Sequence, residues 1–248
     1  MIIETASRKV LSPGQLFDRR LFAAAAIVFP LLVLFGFGRT YYLKPFFTVP
    51  PLPSMLVHVH GLLMTAWVVL FITQVRLISA RRVRLHRRLG YGSVGLAVFI
   101  VASGIPTALR ASKYGSPSFP PGISQLAFLI VPAFDLALFA ILFSAAIYFR
   151  RNPATHKRLM LLTAINLLPP AIARIPIASL QAMGPLWFFG LPTVLALLCL
   201  GLDVRRHDHV NKVFAAGIVV LIASYPLRLG LMNTAAWLSA AGWLVNFV

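Results

Sequence analysis

The chain has 248 residues and a formal net charge of +18, yet only 11% of its residues are charged and 59% are hydrophobic. Soluble domains carry about 25% charged residues, so this composition, with a mean hydropathy of +0.86, excludes an ordinary soluble domain and points to a polytopic membrane protein. The positive charge does not mark a nucleic-acid binder, because Lys and Arg sit in short clusters between apolar runs and not in a basic patch interleaved with aromatics.

The single cysteine, Cys199, excludes an intrachain disulfide framework and any zinc-ribbon spacing. Arg8, Lys9, Arg19 and Arg20 precede the first apolar run, 21–38. That run is too long for a signal-peptide core and reads as an uncleaved first span. Six more runs follow, at 55–79, 89–109, 123–149, 159–181, 186–202 and 213–229. At about 1.5 Å per residue, each approaches or exceeds the roughly 30 Å of hydrocarbon a span must cross. The predicted fold is therefore all-α: one transmembrane helical domain over 1–248, with about seven spans. The last stretch, 233–248, holds Trp237 and Trp243 in a shorter apolar run and reads as an interfacial helix.

The loops alternate in charge. Connections around 76–88, 150–158 and 205–212 are basic, like the N-terminus; the others hold only Arg39, Lys44, Arg110 and Lys113. The positive-inside rule then places the N-terminus in the cytoplasm and the C-terminus outside. Trp187, Trp237 and Trp243 fall at the predicted outer boundary, as an aromatic belt would. Pro50, Pro51 and Pro53 stiffen the first outer loop and leave Ser54 to cap span two. Residues 115–122 read as an irregular outer loop. The turns into spans three, five and seven each carry an Arg pair, a histidine (His86, His156, His209) and then Lys or Arg. This is a weak repeat, or the common look of basic inner loops.

A polar side chain inside a span is unfavourable and usually faces the bundle interior, so the short set of such residues supplies the candidate sites. His58 and His60 lie one to two turns into span two. They are about 200° apart around a helix, so one regular helix cannot aim both at one site. His60 shares a face with Met64, Trp67, Phe71 and Gln74. Asp135 in span four and Asn166 and Arg174 in span five lie among Pro132, Pro169, Pro170 and Pro176. Prolines break helices, and broken helices beside buried charge point to a binding site in transporter-like folds. Asp135, Asn166, Trp67 and Gln74 form the ligand-binding set, with Asp135 and Arg174 as either a site or a structural ion pair. At the cytoplasmic side, His86, His156, His207 and His209 stand with Asp203 near basic helix starts. Anionic lipid headgroups would satisfy such a cluster. So would an anionic cofactor such as a haem propionate. A tetrahedral zinc site from His86, His156, His209 and Asp203 is a further reading, although no pair among these has the i, i+4 spacing of a shared helical face.

The run His58-x-His60-Gly61, Trp67, Gln74, His86-Arg87-Arg88-Leu89-Gly90, with His156-Lys157-Arg158-Leu159, resembles that of bacterial multi-spanning proteins of unknown function across spans two to seven. The resemblance implies the fold and a bacterial inner-membrane location, but no activity. His86-Arg87-x-Leu89-Gly90 is also similar to a helix start in ferric-reductase and cytochrome-b-like membrane proteins. That similarity implies haem held between histidines; histidines at two membrane faces, with basic helix starts, give His58, His60, His86, His156 and Arg174 as the cofactor-binding set. No second in-span histidine stands at the depth of His60. Seven spans with inner histidines and an Asp resemble the seven-helix zinc hydrolases of the adiponectin-receptor and alkaline-ceramidase kind, but the histidine pair that those enzymes carry on one helix is missing.

Three functional expectations follow: a redox or haem-associated membrane protein; a transporter or small-ligand binder around Asp135 and Arg174; and a structural subunit, with a membrane-protein partner or a second copy of the chain. Nucleophilic, P-loop and dinucleotide chemistries have no motif here.

Overall fold

A computed structural model describes residues 12–116 and 122–248. The basic residues Arg8 and Lys9, and most of the 115–122 loop, lie outside the described residues. Among the described residues there is no strand. The helices are α1 (Pro13–Phe37), α2 (Met55–Ser79), α3 (Val83–Tyr114), α4 (Gln125–Phe128), α5 (Ile130–Tyr148), α6 (Pro153–Asn166), α7 (Pro169–Ile172), α8 (Ala178–Ala182), α9 (Pro185–Phe188), α10 (Gly190–His207), α11 (Lys212–Leu231) and α12 (Ala235–Leu244).

The chain is an all-α polytopic transmembrane helix bundle. Among the described residues, six helical stretches are long and apolar enough to cross a membrane: Gly14–Tyr42, Met55–Ser79, Val83–Tyr114, Gln125–Arg151, Pro185–His207 and Lys212–Leu231. Large apolar side chains line their outer faces: Ile27, Phe35, Leu62, Val98, Phe99 and Val219 are each more than 60% exposed. In water such a surface would be an aggregation liability. In a bilayer it meets lipid, and the helices satisfy their own backbone polar groups.

The expected fifth span departs from the others. It is not one helix but α6, of 14 residues, followed by the one-turn α7. Leu167 and Leu168 link them through short i→i−3 bonds to Ala164 and Ile165. Pro169 and Pro170 supply no backbone N–H, so the regular ladder cannot continue through them. Pro176 then holds the chain irregular until α8. Six of the seven expected spans are thus long apolar helical stretches, and the remaining one, the fifth, is broken. This broken element is also the axis of the bundle. Leu159, Leu161, Leu162, Ile165, Leu168 and Ile172 are all essentially inaccessible, so the apolar stretch of this element is enclosed by its neighbours.

The basic turns gather at one end. The Arg19 guanidinium donates to the Ser79 carbonyl, Lys157 pairs with Asp18, and the Asn211 amide donates to Thr155 Oγ1 at 3.0 Å. The Asn152 and Asn211 side chains cap α6 and α11 by accepting from Thr155 N and Phe214 N. Ser54 stands at the N-cap position of α2, but its side chain makes no capping bond.

At the far end, α12 is 10 residues long, about 15 Å at helical rise, too short to cross a bilayer. It rests on α3 and α4, with Ala241 and Val245 packed against Ala108, Leu109 and Leu129. Trp237 Nε1 donates to the Leu126 carbonyl at 3.0 Å.

α2–α3 and α5–α6 are the most extensive pairings in the bundle, and His86 and His156, near the starts of α3 and α6, lie side by side. The third turn meets the second through the Asn211–Thr155 hydrogen bond.

Candidate functional site

The most unusual chemistry lies inside the bundle beside the α6–α7 break. Asp135 projects from α5 and Arg228 from α11, and both are buried; Arg228 is 0% exposed. Arg228 Nη1 donates to Asp135 Oδ1 at 2.5 Å, and Nη2 donates to Ser224 Oγ at 3.1 Å. Asn166, the last residue of α6, donates through Nδ2 to the Asp135 carbonyl at 2.9 Å. The guanidinium lies 5.3–5.5 Å from the ring centres of Tyr225, Phe134 and Phe189, and Tyr225 stacks on Phe189 at 4.4 Å. Aromatic faces stabilise a cation that has left water.

This node is incompletely satisfied. Asp135 Oδ2, Arg228 Nε, Asn166 Oδ1 and the Tyr225 hydroxyl are buried without a hydrogen-bond partner among the described residues. Buried polar groups are normally paired, and each orphan costs about 1–3 kcal/mol. Four such atoms surround this one ion pair.

The ion-pair partner differs from the sequence expectation. Asp135 pairs with Arg228, not Arg174. Arg174 lies beyond α7, where Nη1 donates to the Pro170 carbonyl at 2.7 Å and the guanidinium sits 5.0 Å from the Phe37 ring centre. The prolines beside both residues suggested Arg174; the rotation of α11 about its axis selects Arg228. Its sequence position at the expected edge of span seven disguised it, because α11 runs on to Leu231. The available signal was the Ser224-Tyr225 pair three and four residues upstream, on the same helical face.

The histidines do not converge. His60 Nδ1 lies 3.0 Å from Ser103 Oγ. That hydroxyl donates to the Phe99 carbonyl at 2.7 Å, so it accepts the proton of His60 Nδ1. His58 is exposed and lies against Tyr41, whose hydroxyl donates to the His58 carbonyl at 3.2 Å. The expected divergence of these two residues holds. At the basic end, His86 and His156 bring their ring centres to 6.4 Å. His156 Nδ1 donates to the Ala146 carbonyl at 2.8 Å. Gln74 Nε2 donates to the His86 carbonyl at 3.3 Å, while His86 Nδ1 and Gln74 Oε1 are buried orphans. Trp67 packs edge-on against Phe139 and Phe143, and its Nε1 has no partner. The cofactor-binding set therefore divides between Ser103, Tyr41, the Arg174 bend and the His86–His156 pair.

The expected zinc quartet also divides. Both Asp203 oxygens are taken by Arg158, at 2.8 and 2.6 Å. The histidine beside Asp203 is His207, at 3.3 Å and i+4 on the same face of α10. His209 lies past the left-handed Asp208 and is exposed, against the His207 carbonyl. Among the described residues, the group with metal-ligand proximity is Asp18, Asp203 and His207. Its carboxylates already neutralise Lys157 and Arg158, so it reads as an ion-pair knot joining α1, α6 and α10.

The fold and the buried charges together define a polytopic α-helical membrane protein with a polar node in its interior. Comparison with protein-family models, with curated proteins and with solved structures gives no match.

Proposed function

We propose that this protein binds a small polar solute within the bundle, at the node beside the α6–α7 break, and moves it across the membrane. The observation that carries the reading is the set of four buried orphan atoms around the Asp135–Arg228 pair. Their chemistry suggests the solute. Arg228 Nε–H offers a donor, Asp135 Oδ2 and Asn166 Oδ1 offer acceptors, and the Tyr225 hydroxyl serves as either. The ion pair is internally neutral, so a net-neutral or zwitterionic solute fits better than an ion. Its anionic group would engage Arg228 and its donor group Asp135. The break after Asn166 provides the element that can rearrange, because few backbone bonds tie α7 to α6. On the loop charges we infer that the basic end faces the cytoplasm, and on the resemblance of the histidine-bearing runs to those of bacterial multi-spanning proteins that the membrane is a bacterial inner one.

The test is a thermal-stability screen of the purified chain in nanodiscs against small zwitterionic solutes, followed by uptake into proteoliposomes. Stabilisation and uptake by one such solute, both lost in Asn166→Leu and Tyr225→Phe, is the expected result. A response that these two variants leave unchanged would remove the node from the function.

A second reading retains redox chemistry and rests on the approach of His86 and His156. Two imidazoles from separate helices, one with a buried orphan nitrogen, could hold a metal ion. A Soret band or a stoichiometric metal in the purified protein, lost in His86→Ala, is what that reading requires.

A further inference from the structure

The bundle carries a second polar feature, which the solute reading does not use. At the end opposite the basic turns lies an open cleft of about 340 Å³, lined in part by Arg39, Thr40, Arg174, Pro176 and Gln181. Two irregular segments build it. One is the π-helical turn Gly38–Tyr42 that ends the first span; π-turns inserted in α-helices are frequent at functional sites. The other is the bend between α7 and α8, held open by Pro176.

The cleft brings together two arginines with no carboxylate. The chain has five acidic residues. Asp18 and Asp203 pair with Lys157 and Arg158 at the basic end, and Asp135 pairs with Arg228. Asp208 follows α10, and Glu4 lies outside the described residues. Neither cleft arginine makes an ion pair among the described residues. Both guanidiniums are instead held over rings: Arg39 lies 5.1 Å from the Phe47 ring centre and Arg174 5.0 Å from that of Phe37. Stacking fixes the plane of a guanidinium while leaving its N–H edge free to meet an oxyanion. Only Nη1 of Arg174 is committed, to Pro170. Thr40 Oγ1 completes the set as a buried hydroxyl without a partner among the described residues. Two pre-oriented forks, an orphan hydroxyl and the Gln181 amide in one cleft are the donor set for a phosphate or carboxylate.

We propose that this cleft is an oxyanion-binding site, recognising a phosphate-type group through Arg39, Arg174 and Thr40. The group can come from an anionic lipid headgroup or from a free solute, since the cleft is open and Arg39 is exposed. The site stands apart from the buried node and does not depend on it.

The experiment uses the full chain in nanodiscs of phosphatidylcholine alone and in nanodiscs containing phosphatidylglycerol. Thermal stability is titrated with inorganic phosphate, against chloride at matched ionic strength. In phosphatidylcholine the expected result is a saturable phosphate-specific rise in Tm. Its apparent affinity should weaken about tenfold or more in Arg39→Gln and Arg174→Gln, as loss of a charge-assisted hydrogen bond implies. Arg174→Lys should retain part of it, and Arg150→Gln, at the basic end, all of it. If phosphatidylglycerol raises Tm and removes the phosphate response in the wild-type chain alone, the source is a lipid headgroup. If the phosphate response persists there, the source is a free anion. The proposal is overturned if neither probe shifts the wild-type Tm, or if Arg39→Gln and Arg174→Gln respond as the wild type does. Asn166→Leu tests the buried node and should leave this response intact, so the two readings fail separately.

Discussion

Replacing Arg228 by Met tests whether the Asp135–Arg228 pair is held by mutual dependence. The substitution keeps the apolar stem of the side chain but removes the guanidinium, and leaves a buried Asp135 carboxylate facing Ser224 and an aromatic cage. At an effective dielectric of about 20, two unit charges about 4 Å apart attract by about 4 kcal/mol. Removing one partner of a buried pair therefore destabilises by about 3–5 kcal/mol, chiefly because the other charge is stranded. Asp135→Leu should do the same from the opposite side. The double change Arg228→Met with Asp135→Leu should recover most of that loss and lie within about 1 kcal/mol of the wild type, since well-packed apolar replacements of buried pairs are often neutral. The cycle should then show an interaction energy of about 5 kcal/mol or more, above the usual range. Reversible SDS unfolding in mixed micelles, on protein that is monodisperse by gel filtration, measures all four members. Single variants within about 1 kcal/mol of the wild type, or a double variant as unstable as the sum of the singles, would refute the reasoning.

Gly36→Ala should destabilise by about 1–3 kcal/mol or more. Its Cβ would meet the Ala171 carbonyl oxygen at 2.0 Å and the Ala171 carbonyl carbon at 2.6 Å, so α1 would have to leave the α7 backbone. Gly201→Ala is the control, because nothing lies within 4 Å of its Cβ and the helix should gain about 0.5–1 kcal/mol; the same unfolding titration compares the two. Asp203→Asn should cost about 3–5 kcal/mol by stranding the buried Arg158 guanidinium, with Asp208→Asn, on the exposed turn, near neutral in the same assay. Arg151→Cys should react with a membrane-impermeant maleimide only from the cytoplasmic side, and Arg39→Cys only from the outside. The native Cys199 is buried and should contribute little background. The reverse labelling pattern would invert the proposed orientation.

The sequence disclosed most where one dimension suffices. The second span was expected at 55–79, and α2 occupies Met55–Ser79, because a 25-residue apolar run bounded by prolines and arginines has few other solutions in a bilayer. The divergence of His58 and His60 followed from helical rotation alone. The fifth span was less legible. Mean hydropathy does not distinguish a straight helix from a broken one, although Pro169-Pro170 signalled the break. The third helix begins at Val83 and not near 89, because a basic first turn can stay helical where it projects beyond the apolar core.

Charge pairing was not legible, and the reason is physical. Helical rise gives a residue's depth in the membrane, but the partner it meets depends on how each helix is rotated and which neighbours it packs against. Buried charge beside prolines made Arg174 a partner for Asp135, and packing gave that place to Arg228. The same limit turned the expected histidine quartet into a His86–His156 pair and an Asp203–His207 contact. The sequence alone determined that this is a bundle of apolar helices with its basic turns alternating along the chain, because hydrophobic length and loop charge are properties of the chain itself. Tertiary structure decided which buried polar atoms are satisfied and which are left open, because a hydrogen bond a few ångströms long depends on the azimuth of two helices, which no linear pattern records.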